Sequence, residues 1–226
     1  MFYIGESIDS LVDVYDYAES VVTRFIHSES NFEEFYDLCD IIYDRIQNGK
    51  ITYKDLSREG IIHVHLVNVA VLSGLIAEYV GLDEEGIRTS ILGGLVHDIG
   101  KFFVSDRLLN KNGRLTTFER IAISSHEIIG KGIVSLFCQS EEVLDIVASH
   151  HIYIKTLTEP VDISSLPRED SRLLPLICSV ADITNAVVST RPYKKRLPAQ
   201  VARNDLHIKG IMDIDNIYTF LRINIE

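Results

Sequence analysis

Gly94-Leu-Val-His-Asp-Ile-Gly-Lys101 is the stretch of sequence that decides the fold. A histidine, an aspartate and a lysine follow directly on an apolar segment in which Ile87, Ile91 and Leu95 recur at helical spacing. A buried aspartate is costly unless it is paired, and a divalent cation can supply the pairing. The stretch therefore predicts a helix whose end brings ionisable side chains into an apolar interior.

More histidines and a second aspartate lie near the ends of other predicted apolar helices. They are His65, His126, the pair His150-His151, and Asp182. The gaps between these positions and His97-Asp98 are each about one helix plus one connection long. A helical bundle can therefore direct all of them at a shared centre, as metal-binding bundles do.

Five histidines and two aspartates exceed what one tetrahedral ion requires, and they suit two ions bridged by a carboxylate. Imidazole combined with carboxylate favours iron, manganese or zinc over calcium. A single His-Asp or His-His pair is a weak signal, because a lone histidine on an apolar helix is more often a hydrogen-bonded core residue. The ordered pattern on successive helices favours metal. We interpret His27, His63 and His207 as ordinary histidines; His63 lies two residues from His65, towards the opposite helix face.

Apolar residues three and four positions apart predict an all-α fold. The predicted helices cover 10–26, 31–47, 61–79, a segment ending near 96, one opened by a capping box at Thr116-x-x-Glu119, then 141–149, 173–189, 199–206 and 214–221. Residues 153–170 are polar and contain proline, which predicts a loop. We expect an N-terminal helical extension at 1–58, acting as a scaffold or homodimer contact, and a helical bundle at 59–226 that carries the cluster.

The composition narrows the possible partners. With 33 acidic and 22 basic residues the formal net charge is −11, which disfavours binding to DNA or an anionic membrane through a general field. Cys39, Cys138 and Cys178 are too sparse for a disulfide framework and indicate a reducing, cytoplasmic compartment. The acidic N-terminus lacks a signal-peptide layout. The longest apolar run, 67–80, is interrupted by polar residues, so we expect no membrane span.

The sequence resembles the HD-GYP family, a branch of the HD superfamily of metal-dependent phosphohydrolases. The likeness runs from about residue 62 to 221 and several of its motifs are long. The motifs occur in the family's order: His65-Leu-Val-Asn-Val-Ala, Gly94 to Lys101, Leu109-Asn-Lys-Asn-Gly-Arg-Leu-Thr, Ser125-His126-Glu-Ile-Ile-Gly130, Ala148-Ser-His-His151, and Val180-Ala-Asp182 through Arg191-Pro-Tyr-Lys194.

The resemblance implies an HD-domain helical bundle with two divalent ions, usually iron or manganese. It implies one ion held by His65, His97, Asp98 and Asp182, and a second held by Asp98, His126, His150 and His151. Asp98 and Lys101 would be catalytic, with Lys101 also contacting a substrate phosphate. Arg191 and Lys194 would hold phosphate or base, and they belong to the densest cationic cluster of the chain. The implied reaction is hydrolysis of a small phosphoester, cyclic di-GMP, by a hydroxide that two cations activate.

The chain departs from the family's pattern at two places. Thr158 and Glu159 replace the Gly and Tyr of the Gly-Tyr-Pro motif that gives the family its name, while Pro160 is retained. Ile61 stands where some members place a glutamate that binds a third metal, so we expect two ions. The altered motif leaves open an alternative, a weakly active or inactive module that binds a cyclic dinucleotide or a partner protein. A purely structural helical scaffold is a third hypothesis.

Overall fold

The computed structural model describes residues 10–28, 31–57, 61–189 and 197–224. These ranges contain α-helices and short 3₁₀ helices, and they hold no β-strand beyond one isolated bridge between Val161 and Ile211. The α-helices are α1 (Leu11–Ile26), α2 (Glu33–Gln47), α3 (Ile62–Tyr79), α4 (Glu84–Val96), α5 (Asp106–Leu109), α6 (Thr117–Ser124), α7 (His126–Val134), α8 (Glu141–Ser149), α9 (Ile152–Thr156), α10 (Leu173–Val188), α11 (Ala199–Ile208) and α12 (Ile214–Phe220). The predicted all-α class is confirmed.

Local capping explains where several of these helices begin. Ser10 forms a capping box with Asp13 at the start of α1. Thr116 and Glu119 form the predicted capping box at α6, in which each side chain bonds the backbone N–H of the other residue. Asp83 accepts from the backbone N–H of Gly86 and caps α4. These bonds satisfy N–H groups that a helix start otherwise leaves free.

Helix α3 lies at the centre of the bundle, packed against α1, α4 and α10. Among the described residues it is long and apolar enough to span a membrane by length and composition, but 72% of the tested window is buried inside the protein. Gly94 allows α4 to approach it closely, since a Cβ there would lie 2.7 Å from the Cα of Ala70. The central helix thus carries His65 within a tightly packed interior.

The two N-terminal helices bury their apolar faces against the bundle. Val14 of α1 and Phe35, Leu38 and Ile42 of α2 are fully buried, and α2 packs on α4. These faces are therefore already covered within one chain. The predicted boundary at 58/59 and the predicted homodimer through these helices stay predictions; residues 58–60 lie outside the described ranges.

Part of the predicted loop at 153–170 is wrong. Helix α9 occupies Ile152–Thr156, and a 3₁₀ turn spans Ile163–Ser165. The prediction weighted the polar composition, whereas burial of Ile154 and Ile163 in the core fixes these two turns. The short α5 was also missed, and α11 extends two residues beyond its predicted end.

Candidate metal centre

The seven predicted metal-binding residues lie together in one cluster inside the bundle. The cluster is assembled from separate elements: His65 from α3, His97 and Asp98 from the end of α4, His126 from the start of α7, His150 and His151 from the end of α8, and Asp182 from α10. All except His151, which is partly exposed, are buried. Residues far apart in sequence therefore converge on one centre, as their spacing predicts.

Asp98 lies in the middle of the cluster, with its two carboxylate oxygens facing different histidines. Oδ2 is 3.4 Å from Nε2 of His65 and 3.3 Å from Nε2 of His97. Oδ1 is 3.2 Å from Nε2 of His126 and 3.8 Å from Nε2 of His150. One carboxylate thus divides the imidazoles into two sets.

Asp182 lies close to one histidine from each set. Its Oδ1 is 3.3 Å from Nε2 of His65, and its Oδ2 is 3.9 Å from Nδ1 of His151. Two groups of potential ligand atoms result, each with all its atoms within 4.8 Å of one another. One group is His65, His97 and Asp182, and the other is Asp98, His126, His150 and His151.

Backbone carbonyls orient three of the imidazoles. Nδ1 of His97 lies 2.9 Å from the carbonyl oxygen of Gly94, Nδ1 of His126 lies 2.7 Å from that of Ile123, and Nδ1 of His150 lies 3.1 Å from that of Val147. A carbonyl can only accept, so each Nδ1 carries the proton and donates it. Each Nε2 is then a free lone pair aimed at the centre, which is the form that binds a metal.

His65 is oriented by a side chain instead. Its Nδ1 is 2.8 Å from Oδ1 of Asn185, and both residues are buried. Asn185 was not singled out from the sequence. Its position three residues after Asp182 on α10 places both on one helix face, which is the signal that could have identified it.

Unpaired polar atoms show that the cluster fits a cation. Among the described residues, Nε2 of His65, Nε2 of His97 and Oδ1 of Asp98 are buried without a hydrogen-bond partner. Leaving such groups unpaired in a protein interior costs about 1–3 kcal/mol each, and more when they are charged. Cations held by the two groups would satisfy all three, and imidazole with carboxylate is a donor set that transition metals prefer.

Electrostatics keep both aspartates ionised. Burial alone would raise the pKa of Asp98, but the ammonium of Lys101 and the neighbouring imidazoles hold that pKa well below its usual range. Burial likewise opposes ionisation of Asp182, while the nearby His65 and His97 lower its pKa far below the ordinary value. Both carboxylates are therefore anionic at neutral pH, as metal ligands must be.

The paired histidines at the end of α8 are neutral at the same pH. The pKa of His151 is lowered to about 3, mainly by burial and in the same direction by the adjacent His150. Burial also lowers the pKa of His150. Neutral imidazoles beside ionised carboxylates are the protonation state that accepts a cation.

Gly100 lets two parts of the cluster meet. A Cβ at this position would lie 2.0 Å from the carbonyl oxygen of His126 and 2.8 Å from the backbone nitrogen of Gly130. Only a residue without a side chain permits the start of α7 to approach the segment from Gly94 to Lys101 this closely. The need for glycine at position 100 is thus steric, and the close approach brings His126 within reach of Asp98.

Lys101 connects the cluster to open space. Its Nζ contacts Oδ2 of Asp98, and the residue lines a cavity of about 730 Å³ together with His65. The other predicted substrate-binding cations, Arg191 and Lys194, lie outside the described residues.

The remaining described histidines lie away from this centre. His63 approaches Glu19 at 3.8 Å, and His207 approaches Asp215 at 3.3 Å. His27 is exposed at the end of α1. Their interpretation as ordinary histidines agrees with these positions.

Comparison with known proteins places this geometry in context. The family model of the HD domain matches residues 62–187, which include all seven clustered residues. The chain is 32% identical over 201 residues to a cyclic di-GMP phosphodiesterase from Thermotoga maritima, covering 84% of this chain and 51% of that protein. It is 36% identical over 135 residues to the cyclic di-GMP phosphodiesterase PA4108 from Pseudomonas aeruginosa, covering 59% of this chain and 32% of that protein.

The chain thus spans about half or less of the length of these curated relatives. Among solved structures it is similar to Bd1817, a HDG"Y"P protein from Bdellovibrio bacteriovorus, with a TM-score of 0.62 and 19% identity. That match covers 99% of this chain and 74% of the other. At this identity the likeness concerns the fold.

Proposed function

Because the chain belongs to the HD domain family, we propose that it is a metal-dependent phosphodiesterase that hydrolyses a cyclic dinucleotide. The observation that carries the proposal is the division of four imidazoles between the two oxygens of Asp98. A carboxylate that faces two sets of imidazoles would be suited to holding two cations for two-metal hydrolysis. The family predicted from the motifs is confirmed.

We assign the predicted ligand sets to two ions, iron or manganese. His65, His97, Asp98 and Asp182 would hold one ion, and Asp98, His126, His150 and His151 would hold the other. When bound, such a pair of cations supplies hydroxide near neutral pH and neutralises charge on the phosphate. The orphaned Nε2 atoms and the ionised aspartates support this assignment.

The chain's own residues would orient and stabilise the reacting phosphate. Asp98 keeps both ligand sets at a fixed separation because its carboxylate is fully buried and faces both. Lys101 contacts Asp98 and lines the cavity, so its ammonium can face a non-bridging phosphate oxygen there. A fixed positive charge at that point lowers the cost of the charge that develops in the transition state. We also propose Arg191 and Lys194 as substrate-binding residues, since they belong to the densest basic cluster of an acidic chain.

The substrate class follows from the cavity and the relatives. A volume of about 730 Å³ is within the range of small-ligand sites and suits a nucleotide-sized molecule. Two of the curated relatives are cyclic di-GMP phosphodiesterases. Thr158 and Glu159, which replace the Gly and Tyr of the family's name motif, line a separate cavity of about 260 Å³. Cyclic di-GMP is therefore the first substrate to test, followed by other cyclic dinucleotides.

The test uses protein loaded with iron or manganese under reducing conditions. We expect it to cleave cyclic di-GMP and the generic phosphodiester bis-p-nitrophenyl phosphate, and Asp98→Ala to abolish both activities. Asp145→Ala removes an exposed aspartate of α8 that lies outside the cluster, and it serves as the matched control. Cleavage that survives complete metal removal, or that survives Asp98→Ala, contradicts the proposal.

Calorimetry with cyclic di-GMP distinguishes the proposed enzyme from the alternative, a module that binds the dinucleotide without hydrolysing it. Binding without product by fully metal-loaded protein identifies a sensor module, as the altered name motif suggests. Product formation at the same protein concentration identifies an enzyme.

A further inference from the structure

The cavity beside the candidate metal centre has a mixed lining. His65 and Lys101 connect it to the cluster, and two polar residues from α10 and its end, Asn185 and Ser189, also line it. The apolar part of its lining comprises Ile62, Phe102, Leu108, Leu109, Leu115 and Ile123. Asp106, Asn110, Lys111 and Asn112 line it as well. A lining that combines apolar surface with polar groups is typical of sites for small organic ligands.

Two of these polar groups lack partners. Asn185 and Ser189 are 1% and 3% exposed, and within the described part of the chain neither Nδ2 of Asn185 nor Oγ of Ser189 has a hydrogen-bond partner. Oδ1 of Asn185 accepts from Nδ1 of His65, so the amide nitrogen is the half that remains available. The two residues are four positions apart, which places them on the same side of α10.

Asn185 and Ser189 line the same cavity, and an unpaired donor in each is unfavourable unless a ligand accepts from it. Each keeps its desolvation cost for as long as it has no partner. Both can donate, and both are uncharged. Neutral donors match neutral acceptor atoms, whereas a phosphate is better matched by Lys101.

We propose that Nδ2 of Asn185 and Oγ of Ser189 form a nucleoside subsite, which donates hydrogen bonds to the base or ribose next to the scissile phosphate. This inference rests on the proposed function and adds specificity residues to it. The ring of Phe102, which lines the same cavity, offers the apolar surface that a base needs. Asn185 then acts twice, since one half of its amide orients His65 and the other half contacts the substrate.

Two substitutions remove the donors selectively. Ser189→Ala deletes the hydroxyl. Asn185→Asp keeps an oxygen that can accept from His65, but it replaces the donor with an acceptor. Ser73→Ala is the matched control, because Ser73 is a buried hydroxyl on α3 that does not line the cavity.

The measurement compares KM for cyclic di-GMP with KM for bis-p-nitrophenyl phosphate, which has no nucleoside. One neutral hydrogen bond contributes about 1–1.5 kcal/mol, or roughly a 5- to 12-fold change in binding. We expect each donor variant to raise KM for cyclic di-GMP by that factor more than it raises KM for the generic diester. Metal content, measured by mass spectrometry, should stay at the wild-type value in both variants, and Ser73→Ala should match wild type throughout.

Three results overturn the subsite. They are KM values that stay at the wild-type level for both diesters, KM values that rise equally for both diesters, and a loss of metal from Asn185→Asp. An effect confined to one variant overturns the proposal that Asn185 and Ser189 act together in one subsite. If the wild-type protein cleaves neither diester, the proposed function fails instead, and calorimetry with cyclic di-GMP then tests the subsite directly. In that case Ser189→Ala must weaken binding by the same factor, and unaltered affinity refutes the subsite.

Discussion

Replacing Gly100 with alanine tests how the two ligand sets are held together. The added Cβ would lie 2.0 Å from the carbonyl oxygen of His126 and 2.8 Å from the backbone nitrogen of Gly130. Ordinary contacts begin near 3.4 Å, so the start of α7 must move away by about 1.4 Å. The clash involves backbone atoms, which no side-chain rotation can relieve.

The consequences can be estimated from this displacement. Overpacking of this kind costs about 1–3 kcal/mol, which lowers Tm by roughly 2–12 °C for a chain of this size. His126 moves with α7, and its Nε2 now lies only 3.2 Å from Oδ1 of Asp98. A displacement of about 1 Å at a reacting centre can reduce the rate about 100-fold. We therefore expect Gly100→Ala to lose one of two bound ions and to be at least about 100-fold less active.

Gly132→Ala is the matched control, because it makes the same change on α7, the helix whose start Gly100 contacts. A Cβ at Gly132 meets nothing within 4 Å. Alanine favours a helix over glycine by up to about 1 kcal/mol, so this variant should be as stable as wild type or slightly more stable. Calorimetric melting and metal analysis of both variants decide the matter. Wild-type Tm and metal content in Gly100→Ala would refute the steric argument.

Three further predictions concern the cluster and its support. Asn185→Ala removes the side chain that orients His65, so metal affinity measured by chelator competition should fall about 10- to 100-fold; unchanged affinity counts against that role. In the metal-free protein the pKa values of His150 and His151 lie below 6.5. The unfolded chain therefore takes up their protons first, and the free energy of unfolding falls as pH drops from about 6.5, by up to about 1.4 kcal/mol per pH unit for each histidine. Urea unfolding at pH 7 and pH 5 measures this fall, and greater stability at pH 5 contradicts it. Phe35→Ala should cost about 3–5 kcal/mol in thermal unfolding, because Phe35 is fully buried; an unaltered Tm would mean that α2 is not part of the bundle.

The sequence predicted the fold and the membership of the cluster for physical reasons. Helical periodicity and capping residues are local signals, and the predicted span at 141–149 coincides with α8. Ionisable residues such as Asp182 within apolar helices are costly to bury without a partner, so their positions in the sequence predict the members of the cluster.

The details of the centre depend on packing that a single sequence does not encode locally. Which oxygen of Asp98 faces which histidine follows from the crossing of helices distant in sequence. The role of Asn185 was missed because a buried amide and an exposed one have the same appearance in a helical pattern. The close approach at Gly100 was missed for a related reason, since a glycine in a motif does not reveal which backbone lies against it.

The most direct test of the central claim is a crystal structure of the loaded protein with anomalous data collected at the iron and manganese edges. We predict two anomalous peaks within the cluster. One would lie among His65, His97 and Asp182, the other would lie among His126, His150 and His151, and Asp98 would be shared by both. An absence of anomalous signal at these residues in fully loaded protein would contradict the account.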